Sequence, residues 1–338
     1  MQQHSSTSSS ENEQPKSSWR LWKIVALIVV EIELIFLLVA PKEAPITQGA
    51  RYYLGGMPIQ TTQSIVNWQT QRALDLKKSP DVIVFGDSSA LVGVIPPLIQ
   101  KQTRLTCQNF GLVQDVTIKS HVDMLELFLK KHRKPRMLVY HFSDGVLATP
   151  NPKLHKKGMF KPYQSWLGKD RSLETYWPSH RFRTIARHLV LGHWHEDLKH
   201  DTSFRKRLIF TQGYLPDSRT TKDWSKAGPP HVLLHEDGLK GLKRLLTKTQ
   251  QWRLPLLVMH APMPKLFAYP KFHQMQIKNQ RTLRALLKSY PHARLATPYT
   301  RYLPVKYFAD FHHVNHRGAI LNSRTLGGWI NRLLPQKR

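Results

Sequence analysis

The sequence predicts an α/β protein in which a parallel sheet is covered by helices on both sides. Three observations predict it. Continuous apolar runs of strand length recur at 82–85, 137–142 and 254–260, and runs without polar alternation suit strands buried on both faces. Patterns of helical period separate and follow them, at 115–134, 235–253 and 317–334. Two runs end in turn chemistry, Gly86-Asp87-Ser88 and Ser143-Asp144-Gly145, as expected where a strand leaves the sheet.

At the N-terminus, residues 1–18 are rich in Ser and Gln without apolar periodicity and read as a disordered cytoplasmic tail. Residues 24–40, IVALIVVEIELIFLLVA, are apolar at all but two positions and span about 25 Å as a helix, close to a bilayer core. Residues 19–40 are therefore expected to form a transmembrane anchor. Leu38-Val39-Ala40 followed by Pro41 is a poor signal-peptide cleavage site. Lys16, Arg20 and Lys23 precede the run, which places the tail in the cytoplasm and the rest outside. That topology is a single-pass protein of the inner (plasma) membrane with a periplasmic domain. Glu31 and Glu33 interrupt the run, at about 2.5–3.5 kcal/mol for an acidic residue at the membrane centre. Either they protonate in a poor anchor or they pair with a polar group of a neighbouring membrane protein.

Residues 41–80 form a polar, membrane-proximal segment, and the α/β domain occupies 81–338. Its order is a strand at 81–85, a helix through SALVGVIPPLIQKQ, a strand within 104–112, a helix at 115–134 and a strand at 135–142. A basic, helical insertion rich in Lys, Arg, His, Trp and Pro follows at about 150–230. The alternation resumes with a helix at 235–253, a strand at 254–260, a helix near 270–290, a strand near 293–297 and a final helix near 317–334.

Composition limits the function. With 338 residues and 41% apolar content the chain can bury a sizeable core, so wholesale disorder is excluded. The 51 Lys and Arg against 22 Asp and Glu give a formal charge of +29, spread along the chain. Such a surface seeks anions. No zinc-finger spacing or stacking motif is present, so nucleic acid is not expected as a partner; anionic headgroups or an acidic envelope polysaccharide suit the topology better. Cys107 is the single cysteine, which excludes an internal disulfide, and it reads as a small core residue. No Gly-rich phosphate loop appears, and no cofactor is expected.

Ser88 has two readings. Asp and Ser are favoured helix caps, yet a serine where a buried strand meets a helix also stands in the crevice at the sheet's carboxyl end. A serine nucleophile needs a histidine to take its proton and a carboxylate to orient that histidine. Asp310 and His313 supply an Asp-x-x-His spacing on the loop before the last helix. Asp197 and His200 share that spacing inside the insertion, where His193, His195 and His200 also raise the thought of a metal site. They form no compact ligand set, and no metal is expected.

With Gly86-Asp87-Ser88, Asn109 and Gly111 in QNFGLVQ, HFSD at 141–144 and Asp310-x-x-His313 in this order, the chain resembles the SGNH (GDSL-like) hydrolase superfamily. The VNHRG after His313 is similar to its membrane-anchored members associated with acylation of envelope polysaccharides. The resemblance implies a three-layer fold around a flavodoxin-like parallel sheet, with Ser88 as nucleophile, His313 as base and Asp310 as its orienter. It also implies an oxyanion hole from Ser88, Gly111 and Ser143. Ser143 stands where the family carries an asparagine, and a lost oxyanion donor costs about 10² to 10³ in rate.

The expected function is a membrane-anchored, extracytoplasmic serine esterase or O-acyltransferase acting on acyl esters of a cell-envelope polymer. Glu31 or Glu33 would be a candidate contact to a membrane-embedded acyl-donor protein. The alternative is a catalytically weak or inactive protein of the same fold, serving as a basic binding or assembly factor for an acidic polymer. Asp144 reads as a turn cap, His141 and His260 as strand ends near the cleft, and Asn315 as a residue that orients the His313 loop.

Overall fold

The structure, a computed structural model, describes residues 17–39, 52–54, 57–59, 69–70, 72–112, 118–148, 208–217 and 233–335. In chain order these form α1 (Ser17–Val39), β1 (Tyr52–Leu54), β2 (Met57–Ile59), β3 (Val82–Gly86), α2 (Ser88–Gly93), α3 (Pro96–Thr103), β4 (Cys107–Gly111), α4 (Ile118–Lys131) and β5 (Met137–Phe142). There follow α5 (Asp144–Ala148), α6 (Glu236–Gln251), β6 (Leu256–His260), β7 (Met263–Pro264), α7 (Pro270–Leu287), β8 (Ala293–Leu295), β9 (Tyr302–Leu303) and α8 (His316–Leu333). The expected tail at 1–16 and most of the insertion, with Asp197 and the three histidines at 193, 195 and 200, lie outside the described residues.

Five strands form the central sheet in the order β4-β3-β5-β6-β8, and every neighbouring pair is parallel. Alternate residues of each strand serve opposite faces. Ile83, Phe85, Leu138, Tyr140, Leu256 and Val258 pack with α4 and α6 on one side. Val82, Val84, Met137, Val139, Leu257 and Met259 pack with α3 and α8 on the other. A strand covered on both faces has no position for a polar residue, which is why 82–85 reads as an unbroken apolar run. Each such side chain, fully buried, contributes about 1.5–3 kcal/mol of transfer free energy. β3 has β4 on one side and β5 on the other, so the strand order reverses there. Ligands of open α/β sheets bind at the carboxyl ends beside such a reversal. Gly86, Gly111 and His141 lie in one register row at that end.

The helix expected through SALVGVIPPLIQKQ is two helices. Ile95 is extended, with φ −103° and ψ 98°, because the ring of Pro96 disfavours helical geometry in the residue before it, while Pro96 itself is well placed in the first turn of α3. The sheet has a neighbour the expected boundary at 81 did not anticipate. Ala73 is buried in the core, Gln69 Nε2 donates to Gly111 O at 2.9 Å, and Arg72 donates to Gln108 and to Asn109 O. Gln69 and Arg72 thus satisfy groups along the outer edge of β4. Burial lowers the Arg72 guanidinium to about 9.

β1 and β2 pair antiparallel, and β7 and β9 form a short parallel pair. α1 runs for 23 residues, with side chains described at 19 and 21–31, all exposed. Among the described residues no helix is long and apolar enough to cross a membrane.

Candidate active site

Gly86 ends β3 with φ +149°, and a Cβ there would come 1.7 Å from His141 O. Only glycine lets the chain leave the sheet so close to β5. Asp87 then caps α2, accepting from Ser89 N at 2.8 Å. The two readings of this turn are thereby divided between two residues: the capping oxygen belongs to Asp87, and Ser88 is left with its hydroxyl 2.7 Å from His313 Nε2.

The loop that carries His313 is fixed from both sides. Phe308 and Val314 form an antiparallel bridge across it. Asn315 caps α8 by accepting from Gly318 N at 3.2 Å, and its amide donates to Lys306 O at 2.9 Å. Within this closed turn Asp310 Oδ1 accepts from the backbone N–H of His312 and of His313, at 2.9 and 2.8 Å. His313 Nδ1 lies 3.0 and 2.9 Å from the two carboxylate oxygens. With Nδ1–H turned to Asp310, Nε2 faces Ser88 as an acceptor. The structure brings Ser88, His313 and Asp310 together in one hydrogen-bonded line.

Burial opposes the charge on Asp310, but the bonds from His313 and from the two backbone N–H groups outweigh it and hold the carboxyl well below the usual range. Burial likewise opposes protonation of His313, yet the bond to Asp310, that carboxylate's charge and the charges of Asp87 and Asp217 raise it above the ordinary imidazole value. Such an imidazole is a base that holds its proton firmly once it has one.

The three expected oxyanion donors separate. Gly111 N–H donates to Asn109 Oδ1 at 2.8 Å, and Asn109 is in turn held by its amide to Ala90 O and Val94 O at 2.7 and 2.9 Å. Ser143 Oγ donates to Asp87 Oδ2 at 2.5 Å, beside its own N–H at 2.9 Å. In this geometry both groups are engaged within the fold. The reason is local: a buried side-chain acceptor stands within reach of each donor. Ser88 N–H, in the first turn of α2 where a helix has no internal acceptor, makes no hydrogen bond among the described residues.

Two buried polar networks lie at this end of the sheet, and the first supports the turn. Asp87 Oδ1 also accepts from Ser89 Oγ, Ser89 Oγ lies 3.2 Å from His141 Nδ1, and His141 Nε2 accepts from the Asn322 amide at 2.9 Å. Arg301 donates to Asn322 Oδ1. Burial, with the charge of Arg301, lowers His141 to about 3, so it stays neutral and donates from Nδ1. Burial similarly lowers Arg301 to about 10. On the sheet's other face Asp144 accepts from Gln276 at 2.6 Å and Tyr299 at 2.8 Å, with His260 Nε2 3.2 Å away. It ties α5 to α7, beyond capping a turn.

Sequence reasoning gave no role to Ser89 or Asn322, and it read residues 208–217 only as part of the insertion. The one available signal was the Asp-Ser-Ser run itself, which offers three short hydrogen-bonding side chains where a cap needs one. Cys107 is free and buried in the core, where burial pushes its thiol far up. Among the described residues no group of His, Cys, Asp and Glu could hold a metal ion.

No protein-family model matches the chain, and no curated protein matches it. Among solved structures, one described as "a putative platelet activating factor from Streptococcus pneumonia" is similar at a TM-score of 0.42 and 10% identity, over 80% of this chain and 92% of that one. At that distance the likeness carries no activity across.

Proposed function

We propose that the chain is an SGNH-like serine esterase or O-acyltransferase with a flavodoxin-like three-layer fold, anchored in the plasma membrane by residues 19–40. It acts on acyl esters of an envelope polymer from the periplasmic side. One observation carries the reading: the line from Ser88 Oγ to His313 Nε2 at 2.7 Å and from His313 Nδ1 to Asp310 at 2.9 Å. It meets the geometric requirement for an activated nucleophile, base and orienter in turn.

The chemistry follows from that line. As Ser88 Oγ forms its bond to the acyl carbon, its proton passes to His313 Nε2, and Asp310 stabilises the imidazolium. Ser88 N–H is the donor available to the developing oxyanion. The Nε2 proton then goes to the departing alkoxide as the C–O ester bond breaks, leaving the acyl group on Ser88. Water or a sugar hydroxyl next gives its proton to His313 and attacks the acyl carbon, and Ser88 leaves with that proton. Hydrolysis and transfer differ only in this acceptor.

The strand order, which places the second strand outside the first, supports the flavodoxin-like reading. The anchor is supported by α1, where Trp19, Leu21, Trp22, Leu27 and Val30 are all more than half exposed. Apolar side chains exposed on one helix call for a nonaqueous cover. The +29 charge supports an acidic polymer as substrate.

A second reading, an inactive basic binding or assembly factor, is favoured by one observation: Gly111 N–H and Ser143 Oγ are engaged by Asn109 and Asp87. Incubation of the full-length protein in nanodiscs with an O-acetylated acidic polysaccharide separates the two. The enzyme reading expects release or transfer of acetate that disappears in Ser88→Ala. Equal binding of the polysaccharide by both proteins with no loss of acetate establishes the binding factor instead.

A further inference from the structure

Residues 208–217, read from the sequence as part of the insertion, run against the three elements that assemble the site. Gln212 O accepts from Asn109 N of β4 at 2.9 Å. Leu215 N donates to Leu91 O at 3.0 Å, and Asp217 O accepts from His316 N at 2.7 Å. The last two bonds have a common logic. α2 stops before Pro96, so its late carbonyls lack intrahelical donors, and the first N–H groups of α8 lack intrahelical acceptors. One short segment therefore satisfies an orphan carbonyl three residues after Ser88 and an orphan N–H three residues after His313.

Tyr214 sits between these two bonds. It is buried in a cluster with Ile95, Phe308, Val314 and Ala319, so its ring packs in the group that contains both halves of the bridge closing the His313 loop. Its hydroxyl lies 2.8 Å from His316 Nδ1. Gly213, with φ +94°, brings the backbone so close to β4 that a Cβ would stand 1.8 Å from Asn109 O, which fixes where Tyr214 enters.

We propose that residues 211–217 are a strap that holds the His313 loop in register with the Ser88 helix, with Tyr214 as its positioning residue. The proposal rests on the reading of Ser88 and His313 as nucleophile and base. Positional error is expensive in such a site: a shift of about 1 Å costs about 10²-fold. Removing one hydroxyl that holds the loop from outside should cost less, about tenfold.

The test is the second-order rate of labelling by a fluorophosphonate in full-length wild type, Tyr214→Phe, Ser88→Ala and, as a buried tyrosine remote from the site, Tyr290→Phe. Each is measured well below its melting temperature. The strap predicts that Tyr214→Phe labels about tenfold more slowly while Tyr290→Phe labels as wild type does. Wild-type labelling rates in Tyr214→Phe, whatever its melting temperature, overturn the strap. Wild type that labels no faster than Ser88→Ala overturns the serine reading instead, and a second measurement then decides the strap. The downfield NMR resonance of the proton between His313 Nδ1 and Asp310 needs no turnover. Its movement or broadening in Tyr214→Phe and not in Tyr290→Phe is expected, and an unmoved resonance in both overturns the proposal.

Discussion

Asp310 and His313 depend on each other, and pH exposes the dependence. Asp310, held low, stabilises the fold at pH above the ordinary carboxylate value of about 3.9 and loses that contribution below it. His313, held high, stabilises the fold below about 6.5 and loses its contribution as pH rises through its raised value. The pair therefore contributes most between those two values. Reactivity follows another rule, because the base must be neutral. Ser88 labelling should fall as pH drops through the raised His313 value, so its acid limb lies above about 6.5. In Asp310→Asn the limb should move down, and the rate at neutral pH should fall by about 10²–10⁴. A pH profile of labelling checks this, and an unmoved limb refutes it. The spacing was legible in the sequence because three residues in a turn let a carboxylate reach Nδ1. The engagement of Ser143 was not, because its partner lies 56 residues away, on Asp87.

Ser143 also matters to how elements join. It follows β5, Asp87 precedes α2, and the carboxylate between them accepts two bonds from Ser143 and two from Ser89. The turn that carries Ser88 is thus fastened to the neighbouring strand. Ser143→Ala leaves a buried carboxylate oxygen short of one donor and should cost about 1–3 kcal/mol in denaturant unfolding. Labelling of the folded variant should change little, whereas a loss of about 10²–10³ would show the hydroxyl serving the oxyanion after all. Strands and helices were largely legible at this scale, since burial on both faces writes itself as unbroken apolar runs. The break at Val94-Ile95 was readable from Pro96-Pro97, but apolar periodicity runs through it and concealed it. The two short pairs, β1 with β2 and β7 with β9, have two or three residues per strand, too few to show a period.

Across the molecule, the chain assembles its site from parts far apart in sequence: a strand exit at 86–88, a loop at 310–313 and a strap at 211–217. The first two announced themselves because each carries the residue types its chemistry needs. The strap did not, because it works through backbone groups and one tyrosine within a basic stretch. The +29 charge concerns partners and gives no information about the fold.

The central claim is that Ser88 is activated by His313. Fluorophosphonate labelling of the full-length protein, followed by intact mass and peptide mapping, tests it most directly. Wild type should gain one adduct on Ser88, with fluoride leaving phosphorus, while Ser88→Ala and His313→Ala, shown folded by circular dichroism, gain none. A folded wild type that stays unmodified, or an adduct that persists in folded His313→Ala, would contradict the account.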